Sequence, residues 1–179
     1  YGAPTRLLDW TDGALIALYF AVSDLKGCRE ADKEKKDRAV WVLDPTWLNE
    51  NVVNDDTVLL WDFPVVAPYL PPLFESELSP EYPVALDPPH VARRVAVQRS
   101  RFTIHGTKKE GIEGIDSRAG SQSRLFKIII ANKGVPRIKK DLERCGITRT
   151  TLFPDLDSLG AELADGLATK AVRCATKTK

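Results

Sequence analysis

The stretch YGAPTRLLDWTDGALIALYFAV, residues 1 to 22, decides how the fold is read. It begins as a polar turn carrying Thr5, Arg6, Asp9, Trp10 and Thr11, then runs without a linker into Ala14 to Val22, which holds no charge. Thr11 or Asp12 suits a helix N-cap, because such side chains accept hydrogen bonds from the free N–H groups of a first turn. A helix is therefore predicted over residues 12–24. Its apolar residues cover every face, the pattern of a helix buried on most sides at the centre of a core.

Outward from that helix, residues 24 to 38 hold eleven charged residues and read as a solvated connection. Ala39 to Asp44, AVWVLD, suits an interior strand closed by a turn at Pro45. Residues 61 to 90 carry eight of the twelve prolines. Proline removes ladder donors, so this stretch is predicted to be an irregular surface excursion. RRVAVQ and RFTIHG read as two strands joined at Ser100, and Arg124 to Ala131, RLFKIIIA, as a further strand. One helix is expected from Pro136 to Gly146. A second should start near Phe153 to Asp155, with Leu156, Leu159, Leu163 and Leu167 on one face. The expected class is α+β: a mixed, mostly antiparallel sheet around the helix at 12–24.

The chain has 179 residues, the size of one domain, and is 43 % hydrophobic. With 26 basic and 25 acidic side chains it has no global field for a polyanion or an anionic membrane. No run reaches the ~18 apolar residues that span a bilayer. Cys28, Cys145 and Cys174 form neither a disulfide pattern nor a metal cluster, so a reducing, cytoplasmic setting is expected. The absence of methionine suggests sequence, and with it a partner domain or protein, upstream of Tyr1.

YGAPTRLLDWT followed by ALYFA resembles the signature block of the FRG-domain family. PPHVARRVAVQRSRFTIHG is similar to that family's arginine and glutamine strand pair, and GITRTTLFPDLDSLGAEL to its closing helix. The Phe-Arg-Gly motif and the histidine before Tyr1 are not in this chain. The resemblance implies one FRG-type domain over residues 1–170, N-terminally incomplete, with a basic tail at 171–179. It carries no settled activity, although members occur in bacterial, phage and defence-associated contexts.

The residues themselves suggest where chemistry would lie. Arg6, beside a helix N-terminus, offers a bidentate partner for phosphate or carboxylate. The competing structural reading pairs Arg6 with Asp9, puts Trp10 in the core and leaves Thr11 as a cap. A looser similarity links DWTDGALIALYFA and VAVQRSRFTI to the ADP-ribosyltransferase fold, with Gln98 in the place of the catalytic glutamate. That similarity implies NAD as substrate with no tightly bound cofactor, and either weak transferase or NAD-glycohydrolase activity or a dinucleotide-binding relative that has lost catalysis. A neutral glutamine would hold a ribose hydroxyl but stabilise an oxocarbenium charge poorly. On this reading Gln98 is the catalytic position, and Tyr1, Gly2, Thr5, Arg6, Asp9, Thr11, Arg94 and Phe102 bind the ligand. No metal site is expected, since His90 and His105 lack a second ligand at metal spacing. Two alternatives remain open: a non-catalytic protein-interaction module of a larger defence protein, and a nucleic-acid binder through residues 93–109, the least favoured of the three.

Overall fold

The computed structural model describes residues 5–23, 36–71, 79–89, 92–119, 124–160 and 163–164. Tyr1, Gly2, Cys28, His90, Leu167, Cys174, the charged connection at 24–35 and the tail at 171–179 lie outside the described residues.

The protein is α+β, with a four-stranded mixed sheet and a separate two-stranded ribbon. The opening polar segment, expected as a turn, is a strand: β1, Leu7–Thr11, lies antiparallel along β5, Ser100–Ile104, with Leu7 opposite Ile104 and Thr11 opposite Ser100. β5 also pairs antiparallel with β4, Val84–Asp87, which in turn pairs parallel with the short β3, Leu59–Leu60. The sheet order is β1-β5-β4-β3. β4 falls inside the proline-rich stretch. The prolines crowd its flanks and leave Val84 to Leu86 free to pair.

Because side chains alternate across a sheet, β4 and β5 serve two cores at once. Val84, Leu86 and Ile104 pack with Leu59, Val66 and Tyr69 on one face. Ala85 packs with Trp47, Leu48, Ile112, Ile115 and Trp10 on the other. Trp47 and Leu48 come from α2, Pro45–Val53, which the turn expected at Pro45 conceals. Asp44 Oδ1 caps it by accepting from the N–H groups of Thr46 and Trp47 at 3.1 and 3.2 Å, and Pro45 fits the first turn, where no N–H is needed. Asn49, fully buried, locks α2 to β4: its Nδ2 donates to the carbonyls of Thr57 and Ala85, and its Oδ1 accepts from the Ala85 N–H at 2.7 Å.

The apolar helix forms as α1, Ala14–Val22, two residues shorter at each end than the expected 12–24. Its N-cap is Gly13, not Thr11 or Asp12. Thr11 belongs to β1 and its Oγ1 accepts from the Gly13 N–H at 3.1 Å, steering the chain from strand into helix. Nor is α1 the centre of the core. Ile16 and Val22 are buried, but Ala14 and Leu15 are exposed, because the helix packs against β2 and α5 through its later residues, Leu18, Tyr19, Ala21 and Val22. Apolarity on all faces is not burial on all faces here, since packing reaches the later turns of the helix and leaves Ala14 and Leu15 in water.

RRVAVQ is not a strand. Arg93–Val97 forms the short helix α3, and the chain turns at Arg99, whose φ of 48° is left-handed, to enter β5. Both edges of β5 are taken by β1 and β4, so a further strand there would have no partner, and tertiary context overrides the β-branched residues. After α4, Ile112–Ala119, comes β6, Leu125–Ile130, which pairs antiparallel with β2, Arg38–Leu43, to make the ribbon. α5, Val135–Arg144, follows, with Gly146 at φ 75° ending it close to the expected positions. A short α6, Arg149–Leu152, leads to a helical stretch at 156–160. There Leu156 is 84 % exposed, and Leu159 and Leu163 are exposed too, so this face is not covered among the described residues.

Candidate functional site

Arg6 precedes β1 and its guanidinium turns inward. Nη1 donates to the His105 carbonyl at 3.0 Å and Nη2 to the Tyr69 carbonyl, while the Arg6 carbonyl accepts from the His105 N–H. Arg6 thus fastens the start of β1 to the end of β5 and to the turn holding Tyr69. Among the described residues its partners are backbone carbonyls, and Asp9 is not one of them. Asp9 and Thr5 are exposed, and Thr5 Oγ1 donates to the Leu7 carbonyl at 3.4 Å. Trp10 half-fills the second core and its Nε1 donates to Thr103 Oγ1 at 3.2 Å, as the structural reading of that residue expected in outline. The same Thr103 hydroxyl lies 3.3 Å from His105 Nε2, and burial holds the His105 imidazole below its ordinary pKa.

Thr11 and Gln98 meet at the opposite end of the β1–β5 pair. Thr11 Oγ1 donates to the Gln98 carbonyl at 2.7 Å. The Gln98 side chain is buried, its Nε2 donating to the Leu152 carbonyl at 3.0 Å and its Oε1 3.5 Å from Arg94 Nε. Arg94 stacks over Phe153 at 4.9 Å, and Phe153 meets Phe20 edge-on. Phe102 is half-buried against the first core.

The structure therefore brings together Thr11, Gln98 and Arg94 and leaves Arg6 apart from them. Arg6 and Thr11 are separated by five residues of strand, about 17 Å at ~3.4 Å per residue. The Gln98 amide is buried and bonded to backbone, and a polar group so satisfied does not need a ligand. The signal that sequence reasoning missed is the length of the reach: the partners of Arg6 and Gln98 lie 99, 63 and 54 residues away.

The basic stretch is largely consumed internally as well. Arg99 and Arg101 both pair with Asp12, at 2.5 and 3.0 Å, and Arg101 reaches Asp87 at 3.3 Å. Lys108 pairs with Glu81 at 3.0 Å, and its hydrogen bonds to Tyr82 and Glu81 raise its pKa. These contacts hold Arg99 and Arg101 at Asp12 and Lys108 at Glu81 and Tyr82, so each of the three lies beside an acid or a phenol, which is a poor phosphate track.

The ribbon differs. Its pairs share faces: Val42 and Phe126, Val40 and Ile128, Arg38 and Ile130 lie on one, and Leu43 and Leu125, Trp41 and Lys127, Ala39 and Ile129 on the other. The Ile130 end packs under α1 and α5 with Val22, Val135 and Leu142, and Leu125 and Leu43 pack into the second core. Between these anchors Trp41, Val42, Phe126, Ile128 and Ile129 are exposed, on both faces. Lys127 lies over the Trp41 ring at 5.0 Å.

Among the described residues no helix is long and apolar enough to cross a membrane, and no cluster of histidine, cysteine and acidic residues could hold a metal ion. No curated protein and no solved structure matches the chain. Residues 1–30, which contain β1 and α1, match the family model of the FRG domain, the family that the opening block resembles.

Proposed function

We propose that this FRG-type chain works as a protein-interaction module, docking through the β2–β6 ribbon, and not as a nucleotide-using enzyme. The observation that carries this reading is the run of exposed apolar side chains, Trp41, Val42, Phe126, Ile128 and Ile129, on a sheet of only two strands. Two strands alone are marginal in water, and contiguous exposed apolar surface marks sites where another molecule sits. The nucleotide reading asks Arg6 and Gln98 to line one concave site, whereas each is occupied by backbone at its own end of β1. NAD, transferase or glycohydrolase chemistry and a phage-defence setting draw support only from the order of segments along the chain, which is a weak warrant for function.

The test is a photo-crosslinking residue in place of Phe126 in the full-length protein in its native host, with Glu50, exposed on α2, as the control position. A discrete adduct from position 126 and none from position 50 is expected, and NAD should leave the melting temperature unchanged. No adduct at 126, together with a melt that rises with NAD concentration as mass action requires, would restore the nucleotide reading.

A further inference from the structure

Resting on that reading, we infer that the ribbon takes an extended segment of a partner protein as a third strand along the outer edge of β6, one that places apolar side chains beside Phe126 and Ile128 and an acidic side chain opposite Lys127. Three observations lead there.

The first is which backbone groups point outward. The Asp44 N–H donates to the Arg124 carbonyl at 3.0 Å, so Asp44 and Arg124 form a hydrogen-bonded pair of the antiparallel ladder. Such pairs alternate, which makes Val42–Phe126 and Val40–Ile128 the bonded pairs and turns the N–H and C=O groups of Lys127 and Ile129 away from β2. Among the described residues no strand lies on that side. An edge of this kind is a template for an added strand, with backbone bonds supplying affinity and alternate side chains supplying choice.

The second is the contrast between the two edges. A helix touches each strand, α1 on β2 and α4 on β6, but Ala39 and Val40 of β2 are half-buried whereas Phe126, Ile128 and Ile129 of β6 are each more than half exposed. The incoming strand therefore gains most by lying on β6.

The third is charge. Lys127 is the one charged side chain of β6. Lys127 sits in the middle of the edge, where an opposed acid stabilises a cross-strand pair and a like charge destabilises it. A second copy of this chain is the poorer occupant, since β6 against β6 brings Lys127 onto or beside its own counterpart. An extended apolar segment bearing acids matches both the surface and its sign.

The probe is a seven-residue peptide alternating valine and glutamate, capped at both ends, with a valine–lysine peptide and an N-methylated valine–glutamate peptide as comparisons. Binding to the 179-residue protein is read by amide hydrogen exchange. The valine–glutamate peptide should slow exchange at Lys127 and Ile129 and bind up to about five-fold more tightly than the lysine peptide, the range open to one opposed charge pair. N-methylation, which removes its donors, should abolish the protection. Lys127→Glu, on an exposed side chain, should reverse the order of the two charged peptides. The inference fails if neither peptide protects those amides, if protection appears at Ala39 and Trp41 instead, or if the protein protects them by dimerising as its concentration rises. A crosslinked adduct at position 126 without peptide protection would overturn strand addition and leave the interaction module standing.

Discussion

β4 and β6 are both apolar strands in antiparallel pairs, yet Val84, Ala85 and Leu86 of β4 are at most 6 % exposed while Phe126, Ile128 and Ile129 of β6 are 54 to 56 % exposed. The difference lies in what flanks each strand. β4 has a strand on either side and a packed cluster on each face, and even the polar groups around it, Asn49 and Thr103, are buried with partners. Among the described residues β6 has one strand neighbour, and helices cover only its two ends, Ile130 under α1 and α5 and Leu125 against α2 and α4. β4 is chemically finished and β6 is not, which is why the ribbon is where a partner is sought.

The widest gap between the regions should appear on replacing Asn49 by leucine. That change strands the carbonyls of Thr57 and Ala85 and the N–H of Ala85, and orphaned buried groups cost about 1–3 kcal/mol each, so a loss on the order of 3–5 kcal/mol is expected in denaturant melts. A change below about 1 kcal/mol would mean the clamp is not what joins α2 to β4.

Alkaline titration probes the same region. Burial pushes the Tyr69 phenol up to about 12 from 10.0, so the folded state holds this proton more tightly than the unfolded chain. Its contribution is therefore fully present below pH 10 and is lost as pH rises through about 12, about 2–3 kcal/mol in all at ~1.4 per pKa unit. Tyr69→Phe should flatten that part of the stability curve, and an unchanged curve would count against its burial.

A third variant bears on the site. Gln98→Glu replaces the Nε2 donor to Leu152 with an acceptor, leaving that carbonyl and a buried carboxyl facing each other. A cost of about 1–3 kcal/mol with no gain of NAD hydrolysis is expected. Hydrolysis appearing in a well-folded Gln98→Glu protein would reopen the catalytic reading.

The smallest effect belongs to the ribbon. Ile128→Thr and Phe126→Ser should move the stability of the isolated protein by less than about 0.5 kcal/mol, because these side chains meet water already. A loss near that of a core residue would show them packed, and the contrast with β4 would disappear.

The parts of this fold written in local chemistry were legible. The chargeless run gave α1, the β-branched run gave β6, and Gly146 marked the end of α5. Asp44-Pro45 carried a helix-start signal that a turn reading of proline obscured. β4 was hidden by the prolines around it, and RRVAVQ looked like a strand because nothing local says that both edges of β5 are taken. Of the site, the residue types were readable but their partners were not. Arg6 and Gln98 look like ligand groups until the backbone carbonyls that hold them arrive from distant segments.

That same cross-tying sets the tempo at which the molecule assembles. Leu7 pairs with Ile104, so β1 waits for nearly a hundred further residues before it has that neighbour. Contacts this far apart in sequence close late, because chain entropy must be surrendered before they return any energy. β1 is thus held in place only after the chain has passed Ile104. Until then Leu7, Leu8 and Trp10 are unpaired on a nascent chain, and the segment matched to the FRG domain depends for its shape on residues far outside it.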